Sequence, residues 1–260
     1  MTIDDMKEIK KKQGFSNKMI SDLSGVPFGT VQKIFGGETS SPRYDTIQAL
    51  QRFFEEATGG FSVQSDNDVV KEGASYKVSC DGSRNKNIND YLALPEGTRI
   101  EMIDGVFYDM ASPTTKHQNI AGELYVELKM HVRKNSGSCV PYISPLDVQL
   151  NCDDKTMVQP DVIIICDKNK ITEPRIVGAP DFIAEVLSPG NVFMDTTIKL
   201  GKYEKAGVRE YWIISPEMEK VVVYFFEKNN EPVIYSFDDD IPVGIWNGEC
   251  TINFRKLLNY

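Results

Sequence analysis

The sequence has few of the side chains that bind soft metals or build disulfide frameworks. It contains two histidines, His117 and His131, and its five cysteines are widely spaced without a CxxC pair. A zinc site needs a cluster of such residues. A disulfide framework is typical of small secreted chains that contain an even number of cysteines. The sequence therefore predicts neither, and a reducing cytoplasmic location is favoured.

Long apolar runs and glycine-rich phosphate loops are also missing. The first residues, MTIDDMKEIKKKQ, have no apolar stretch of the signal-peptide kind. No run approaches the roughly 18 apolar residues that a membrane helix needs. Ser112 and Ser188 have no histidine at a recognisable spacing, which disfavours a serine hydrolase. We expect a soluble intracellular protein without a membrane partner.

Basic residues are in the minority. Asp and Glu number 38 against 29 Lys and Arg, so the formal net charge is -9 and the pI is near 4.9. A surface coated in positive charge is excluded, although a local basic groove can still contact phosphates. Residues 58–87 are rich in Gly, Ser, Asn and Asp, which predicts a linker between domains at 1–57 and 88–260.

The first 57 residues show apolar residues at helical spacing, separated by polar joints. Ser16 is typical of a helix N-cap, Gly25 of a helix end, and Pro27 of the first turn of a following helix. A tight turn between two short helices is the arrangement of a helix-turn-helix. The stretch MISDLSGVPFGTVQKIFGGETSSPRYDTIQAL resembles the phage-repressor type of helix-turn-helix domain.

In that family the helix after the turn lies in the major groove of DNA. The resemblance implies DNA contacts from Phe28, Thr30, Gln32 and Lys33, of which Gln32 is chemically suited to adenine. Residues 1–57 contain 8 Lys and Arg and 8 Asp and Glu, which predicts modest phosphate affinity. A small helical module for dimerisation or protein contact is the alternative.

Residues 88–260 follow a different pattern. RIEMIDGVFYDM predicts a hairpin that turns at Asp104-Gly105, and HQNIAGELYVELKMHVRK predicts a long amphipathic helix. VQPDVIIICD, PDFIAEVLS and REYWIIS predict strands, the last of them after a helix that ends at Gly207. The expected fold class is α/β, with a mixed sheet flanked by helices and preceded by a small all-α domain.

Carboxylates occur where a buried sheet would not tolerate them alone. Asp161 and Asp181 each follow a proline and precede an apolar run, and Glu185 lies inside the second run. A charge there is costly unless a cation meets it. Mg²⁺ or Mn²⁺ between Asp161 and Glu185 would suit this demand and could activate water toward a phosphodiester. The alternative is a buried ion pair with Lys199 that has a structural and not a catalytic role.

Metal-dependent nucleases often place a lysine two residues after the acidic residue, but here that position is Leu187. The lysine supplies positive charge beside the attacking water, which depends on where the ammonium lies and not on which element carries it. Lys199 lies on the helix after the Glu185 strand, with Lys202 and Tyr203 on the same face. We assign the role to Lys199, with Lys202 as the next candidate.

Residues 88 to 258 resemble the Uma family of putative restriction endonucleases, a branch of the PD-(D/E)XK nuclease superfamily. The resemblance is carried by YLALPEGTRIEMIDGVFYDMASPTTKHQNIAGEL, QPDVIIICD, GAPDFIAEVLSPGN and DTTIKLGKYEKAGVREYWIISP. It implies a site of Glu101, Asp161, Glu185 and Lys199. Asp161 and Glu185 would bind the metal directly and Glu101 would be an outer ligand or metal-positioning acid, while Asp181 competes with Asp161 for the Pro-Asp role.

These features predict a metal-dependent DNA endonuclease. The helix-turn-helix domain would bind DNA, the α/β domain would hydrolyse a phosphodiester bond, and a homodimer would bring two sites to two strands. The rival hypothesis is a DNA-binding regulator or assembly protein whose nuclease fold is inactive. The presence of all three acids and a lysine favours the enzyme.

Overall fold

The structure is a computed structural model that describes residues 2–13, 15–39, 42–57, 77–78, 85–95, 97–110, 112–135, 137–151, 153–188, 194–228 and 231–258. The chain divides into two compact units, Met1–Ser75 with Ser188–Ile198 and Tyr76–Leu187 with Lys199–Tyr260. Most of the predicted linker, 58–87, lies outside the described residues, and its residues 77–78 form a short strand.

The first unit contains helices α1 (Ile3–Gln13), α2 (Asn17–Ser24), α3 (Phe28–Phe35) and α4 (Tyr44–Ala57). The Ser16 hydroxyl accepts a hydrogen bond from the Met19 N–H at 3.0 Å and so caps α2. Gly25 ends α2 with φ 71°, a left-handed conformation that glycine adopts without strain. Both predictions at this turn are confirmed, and α3 begins one residue after Pro27.

The second unit is built mainly from strands. Its elements are β1 (Lys77–Val78), α5 (Ile88–Leu92), β2 (Ile100–Ile103), β3 (Val106–Asp109), α6 (Thr115–Lys134), β4 (Val140–Ile143), β5 (Val148–Gln149), β6 (Met157–Val158), β7 (Val162–Ile165), β8 (Ile176–Val177), β9 (Phe182–Val186), α7 (Leu200–Ala206), β10 (Glu210–Ser215), β11 (Lys220–Phe225), β12 (Val233–Ser236), β13 (Ile241–Pro242), β14 (Thr251–Ile252) and α8 (Phe254–Leu258). A π-helical segment, Met194–Lys199, leads directly into α7. No helix in the described ranges is long and apolar enough to cross a membrane.

The described strands form two mixed sheets of six strands each and a two-stranded sheet of β13 and β14, where the sequence predicted a single mixed sheet. Their orders are β1-β3-β2-β6-β5-β8 and β12-β11-β10-β9-β7-β4. The predicted hairpin of β2 and β3 turns at Asp104 and Gly105, whose φ angles are 52° and 71°. The sheets separate because β2 pairs with β6 through Met102 and Met157, so the hairpin does not join the central strands.

The second sheet is covered on one face by the long helix α6. Along β7 and β9 the even-numbered residues, such as Ile164 and Ala184, pack against Ile120 and Leu124 of α6 in one buried cluster. The odd-numbered residues, such as Ile183, point to the opposite face, which is also buried. The central strands β7, β9 and β10 are therefore buried on both faces.

One cysteine prediction is wrong. Cys139 and Cys166 form a disulfide although they are 27 residues apart in sequence. They become neighbours because β4 and β7 are antiparallel with Val140 opposite Ile165, so the next residue on each strand also stands opposite its partner. Sequence spacing does not reveal which strands pair, and so it could not reveal this bond.

Glu210 on β10 is fully buried, and its carboxylate binds the backbone at residues 244–245. Its carboxylate accepts hydrogen bonds from the indole N–H of Trp212 at 2.7 Å and from the backbone N–H groups of Gly244 at 3.0 Å and Ile245 at 2.8 Å. Burial raises the pKa of Glu210, while these three donors favour its charged form. The carboxylate thus joins the centre of the sheet to the turn at residues 244–246.

Candidate active site

The strand register brings Asp161 and Glu185 together. β7 and β9 are antiparallel with Val162 opposite Ala184, and one further step along both strands sets Asp161 opposite Glu185. The Asp161 N–H lies 3.3 Å from the Glu185 carboxylate, and the Val186 N–H donates to the Asp161 carboxylate at 2.8 Å. The two carboxylates are therefore held side by side at the end of two neighbouring strands.

Lys199 joins the two deeply buried glutamates of this cluster. Its ammonium lies 2.9 Å from Glu101 and 3.0 Å from Glu185, and all three side chains are at most 3 % exposed. Glu101 also accepts a hydrogen bond from the backbone N–H of Gln159 at 2.7 Å. Although Glu101 lies on a hairpin strand, its side chain is fully buried.

Tyr203 and His117 complete the surroundings of the carboxylates. The Tyr203 hydroxyl donates to the same Glu185 oxygen that Lys199 contacts, at 2.7 Å. The Nε2 atom of His117 lies 3.1 Å from Asp161 Oδ2, and the imidazole is buried beneath the N-terminus of α6. One oxygen of each carboxylate is thus occupied by these neighbours.

Two other candidates lie in different surroundings. Lys202 pairs with Asp104 at the hairpin turn and with Asp153, at 2.8 Å from the latter, so it ties two loops together. Asp181 accepts a hydrogen bond from the Cys166 N–H at 2.7 Å and pairs with Arg209. The structure therefore brings Lys199, not Lys202, to Glu185, and it gives Asp181 the part of a strand-end cap.

The family of the chain follows from comparison with known proteins. Residues 88–243 match the model of the Uma2 family, which is described as "Putative restriction endonuclease". The match spans more than half of the 260 residues. The chain belongs to the Uma2 family. This confirms the resemblance that the motifs indicated for the second part of the sequence, whereas residues 1–57 lie outside the match.

A solved structure also resembles this Uma2 chain. A crystal structure of a putative nuclease belonging to DUF820 from Anabaena variabilis matches with a TM-score of 0.56 and 23 % sequence identity. The match covers 66 % of this chain and 96 % of that chain. At this identity the likeness shows the fold alone, a mixed α/β arrangement. No curated protein matches the chain significantly.

The electrostatics of the Uma2 site centre on Glu185. Burial raises the pKa of Glu185 to about 7; the Lys199 charge opposes this shift, and the charges of Asp161 and Glu101 add to it. Burial alone would lower the pKa of His117, but the hydrogen bond and charge of Asp161 raise it overall. This carboxyl group therefore gains a proton more readily than an ordinary glutamate, and an added cation would favour its charged form.

This shift predicts a pH dependence of stability in the absence of metal. The pKa of Glu185 is about 7 in the folded protein and 4.5 in the unfolded chain. The folded state therefore binds the proton more tightly, and protonation of Glu185 stabilises the fold. That contribution is fully present below the unfolded value and is lost as the pH rises through about 7. We expect the free energy of unfolding, measured with urea in EDTA, to fall across this window.

The matched variant is Glu185→Gln, which cannot ionise and should show a smaller decline over the same pH range. His117 adds a loss of the same sign, because its pKa is also raised, so the difference between the two proteins is the informative quantity. Parallel curves for the two proteins would show that Glu185 does not titrate there.

Whether the residues fit a divalent metal is decided by their donor atoms. No group of three or more His, Cys, Asp or Glu side chains within the described ranges is gathered as a ready-made metal cluster. Mg²⁺ and Mn²⁺, however, need only one or two carboxylates and otherwise keep their waters. Asp161 and Glu185 offer hard oxygen donors side by side, and the Glu185 carboxyl group gains from an added cation. The donor set fits such an ion.

The helix predicted to contact DNA is present as α3 in the first unit. Phe28 is 45 % exposed, Gln32 and Lys33 are exposed, and Thr30 is half-buried. Gln32 and Lys33 also line a groove of about 470 Å³ together with Lys10 and Asn17. The side chains named from the sequence thus lie together on one accessible helix.

His117 was not assigned a role in the site from the sequence, although a signal existed. His117 occupies the position at the start of α6 that continues the apolar stripe of Ile120, Leu124 and Leu128. A polar side chain on the buried stripe of an amphipathic helix needs a buried partner. That partner is Asp161, which only the packing of α6 on the sheet could identify.

Proposed function

We propose that this protein is a metal-dependent DNA endonuclease of the PD-(D/E)XK type. The observation that supports it best is the buried cluster in which the Lys199 ammonium lies 3.0 Å from Glu185, while Asp161 stands opposite Glu185 across two strands. A lysine beside paired carboxylates is a chemical set suited to metal-dependent phosphodiester hydrolysis. Membership of a family of putative restriction endonucleases agrees with this activity.

Asp161 and Glu185 would hold the metal, with Glu101 behind them as a positioning acid. When bound, Mg²⁺ or Mn²⁺ supplies Lewis-acid activation of water and of a phosphodiester oxygen. Glu101 holds Lys199 at 2.9 Å, so the ammonium is kept at the carboxylates. From there its charge stabilises negative charge that develops on the phosphate, without reorganisation during the reaction.

DNA would be brought to the site by α3 of the first unit, through Phe28, Thr30, Gln32 and Lys33. These side chains lie on the helix that follows the tight turn, the helix that reads the major groove in helix-turn-helix proteins. Homodimerisation would supply a second site for the second strand. Residues 1–57 contain equal numbers of basic and acidic residues, so their affinity for phosphates is expected to be modest. This segment would therefore determine where the protein binds DNA more than how tightly it binds.

The test is cleavage of supercoiled plasmid and of single-stranded DNA by the purified full chain with Mg²⁺, with Mn²⁺ and with EDTA. Nicking that requires the metal and stops in EDTA is the expected result. Absence of cleavage with every metal, together with intact DNA binding, would favour the DNA-binding regulator instead. Cleavage that persists in EDTA would contradict the metal dependence.

His117→Ala is expected to weaken Mn²⁺ binding about 10- to 100-fold, because the residues that orient a metal ligand contribute on this scale. The imidazole contacts Asp161 Oδ2 at 3.1 Å and so fixes the orientation of that carboxylate. Calorimetric titration with Mn²⁺ measures the effect independently of cleavage. His117→Gln, whose amide can donate the same hydrogen bond, should recover part of the affinity.

His131→Ala is the control for the loss of an imidazole. His131 lies on the same helix, where it stacks on Trp246 with ring centroids 4.5 Å apart. Equal loss of Mn²⁺ affinity in both alanine variants would show that the effect comes from the helix and not from the contact with Asp161.

A further inference from the structure

A groove of about 400 Å³ opens beside the carboxylate cluster in the second unit. It is lined by Gly97, Thr98, Arg99, Pro145, Leu146, Asp147, Gln159 and Pro174. This volume is at the lower end of the range for pockets that enclose a small ligand, and it suits one nucleotide better than a duplex. None of the residues assigned above to metal or DNA binding lines this groove.

The groove adjoins the proposed active site through the chain itself. The backbone N–H of Gln159 donates to Glu101 at 2.7 Å, and Asp161 follows two residues later. Arg99 precedes Glu101 by two residues. A ligand in the groove would therefore touch the two segments that carry the carboxylates.

The polar lining of the groove is held in place from behind. Asp147 Oδ1 accepts hydrogen bonds from the Tyr91 hydroxyl at 2.8 Å and from the Gln159 side-chain amide at 2.8 Å. Burial, followed by the charge of Asp147, raises the pKa of Tyr91, so its hydroxyl keeps the proton that it donates. The carboxylate is thus fixed by two donors on one oxygen.

The acceptor atoms that remain call for a ligand with N–H groups. Gln159 is 9 % exposed, and its buried Oε1 has no hydrogen-bond partner among the described residues. The second oxygen of Asp147 likewise receives no hydrogen bond from the described part of the chain. A buried acceptor without a donor is unfavourable, so a ligand that supplies donors gains on binding. The Arg99 guanidinium, which forms no ion pair with a described residue, supplies positive charge at the same groove.

We propose that this groove binds one unpaired guanine of the DNA substrate next to the cleavage site. The Watson–Crick edge of guanine carries adjacent N–H donors, which match Asp147 and the Gln159 carbonyl, while Arg99 contacts a backbone phosphate. Base pairing hides that edge, so the substrate is single-stranded or locally unpaired at this position. This inference rests on the proposed nuclease function and defines its substrate class.

The test is binding of fluorescein-labelled single-stranded oligothymidine, with and without one central guanine, to the full chain in EDTA. We expect about tenfold tighter binding of the guanine oligonucleotide, the discrimination typical of a paired hydrogen-bond contact to a base. Contacts that do not depend on the base, including any from the first unit, strengthen the binding of both oligonucleotides equally. They therefore leave the ratio of the two affinities unchanged. Replacing guanine by hypoxanthine, which lacks the exocyclic amino group, should remove most of the preference.

Two variants locate the effect. Asp147→Asn keeps an acceptor for Tyr91 and Gln159 but places an amino group where the free carboxylate oxygen stood, and it should abolish the guanine preference. Arg99→Ala should weaken the binding of both oligonucleotides about fivefold, as expected for the loss of one phosphate contact. The controls are Asp154→Asn and Arg133→Ala, which replace exposed residues away from the groove.

Equal binding of the two oligonucleotides by the wild-type protein would overturn the inference, as would a guanine preference that survives Asp147→Asn. Plasmid cleavage with Mg²⁺ or Mn²⁺, measured in parallel, separates this failure from failure of the nuclease. Metal-dependent cleavage without a base preference removes the groove's role and leaves the nuclease intact. A guanine preference without cleavage would support the role of the groove and contradict the nuclease activity.

Discussion

Glu185→Gln is expected to lower metal-dependent cleavage at least about 10³-fold, since the loss of this proposed metal ligand would remove several kcal/mol of transition-state stabilisation. The glutamine has nearly the same shape, and its amide oxygen can still accept the hydrogen bond from Tyr203. We therefore expect the folded structure to persist. Initial rates of plasmid nicking measure the loss, and circular dichroism with thermal melting checks the fold.

Glu173→Gln provides the matched control, because Glu173 is an exposed glutamate in the same unit. It should cleave at the wild-type rate. If Glu185→Gln retained the full rate while remaining folded, Glu185 would not be a metal ligand, and the active site would have to lie elsewhere.

The second large effect is expected for Lys199→Met, which removes the ammonium group that contacts two buried glutamates. Breaking a buried ion pair by removing one partner costs about 3–5 kcal/mol, because the other charge is left without compensation. We expect a lower melting temperature and loss of cleavage in the same variant. Differential scanning calorimetry and the plasmid assay measure the two effects.

Lys202→Met separates the two lysines. Its pair with Asp104 is screened by solvent and its pair with Asp153 is partly exposed, so the stability loss should be smaller than that of Lys199→Met. Cleavage should continue. Loss of activity in Lys202→Met with activity preserved in Lys199→Met would reverse the assignment of the lysine.

A double variant tests whether the stability lost in Lys199→Met comes from a buried charge left without compensation. Combining Lys199→Met with Glu185→Gln removes the ammonium and one of its two buried charges together, so part of the lost stability should return. Cleavage should not return with it. If stability did not return, Glu185 would not be the charge that the loss of Lys199 leaves without compensation.

Local patterns in the sequence were sufficient for most elements of the fold. The Asp104-Gly105 turn, the N-cap at Ser16 and the apolar run around Glu185 each depend on residues within one or two turns of chain. The position of Lys199 near Glu185 was also predictable, because the helix directly follows the strand. Such features need no knowledge of how distant segments meet.

Features that depend on distant pairing were not predictable in the same way. The division into two sheets, the bond between Cys139 and Cys166, and the contact of His117 with Asp161 all follow from which strand or helix lies beside which. Several registers satisfy the same alternation of apolar residues, so the sequence alone does not select among them. The groove at Gln159 belongs to this group, since four separated segments form it.

The carboxylate of Glu210 bears on where a shortened form of the protein can end. The family match stops at residue 243, directly before the backbone N–H groups of Gly244 and Ile245 that this carboxylate binds. A chain cut at that boundary would leave a buried acid without two of its donors and would expose the core that Phe254 fills. The smallest independently folding form of this domain is therefore expected to include residues beyond those that define the family.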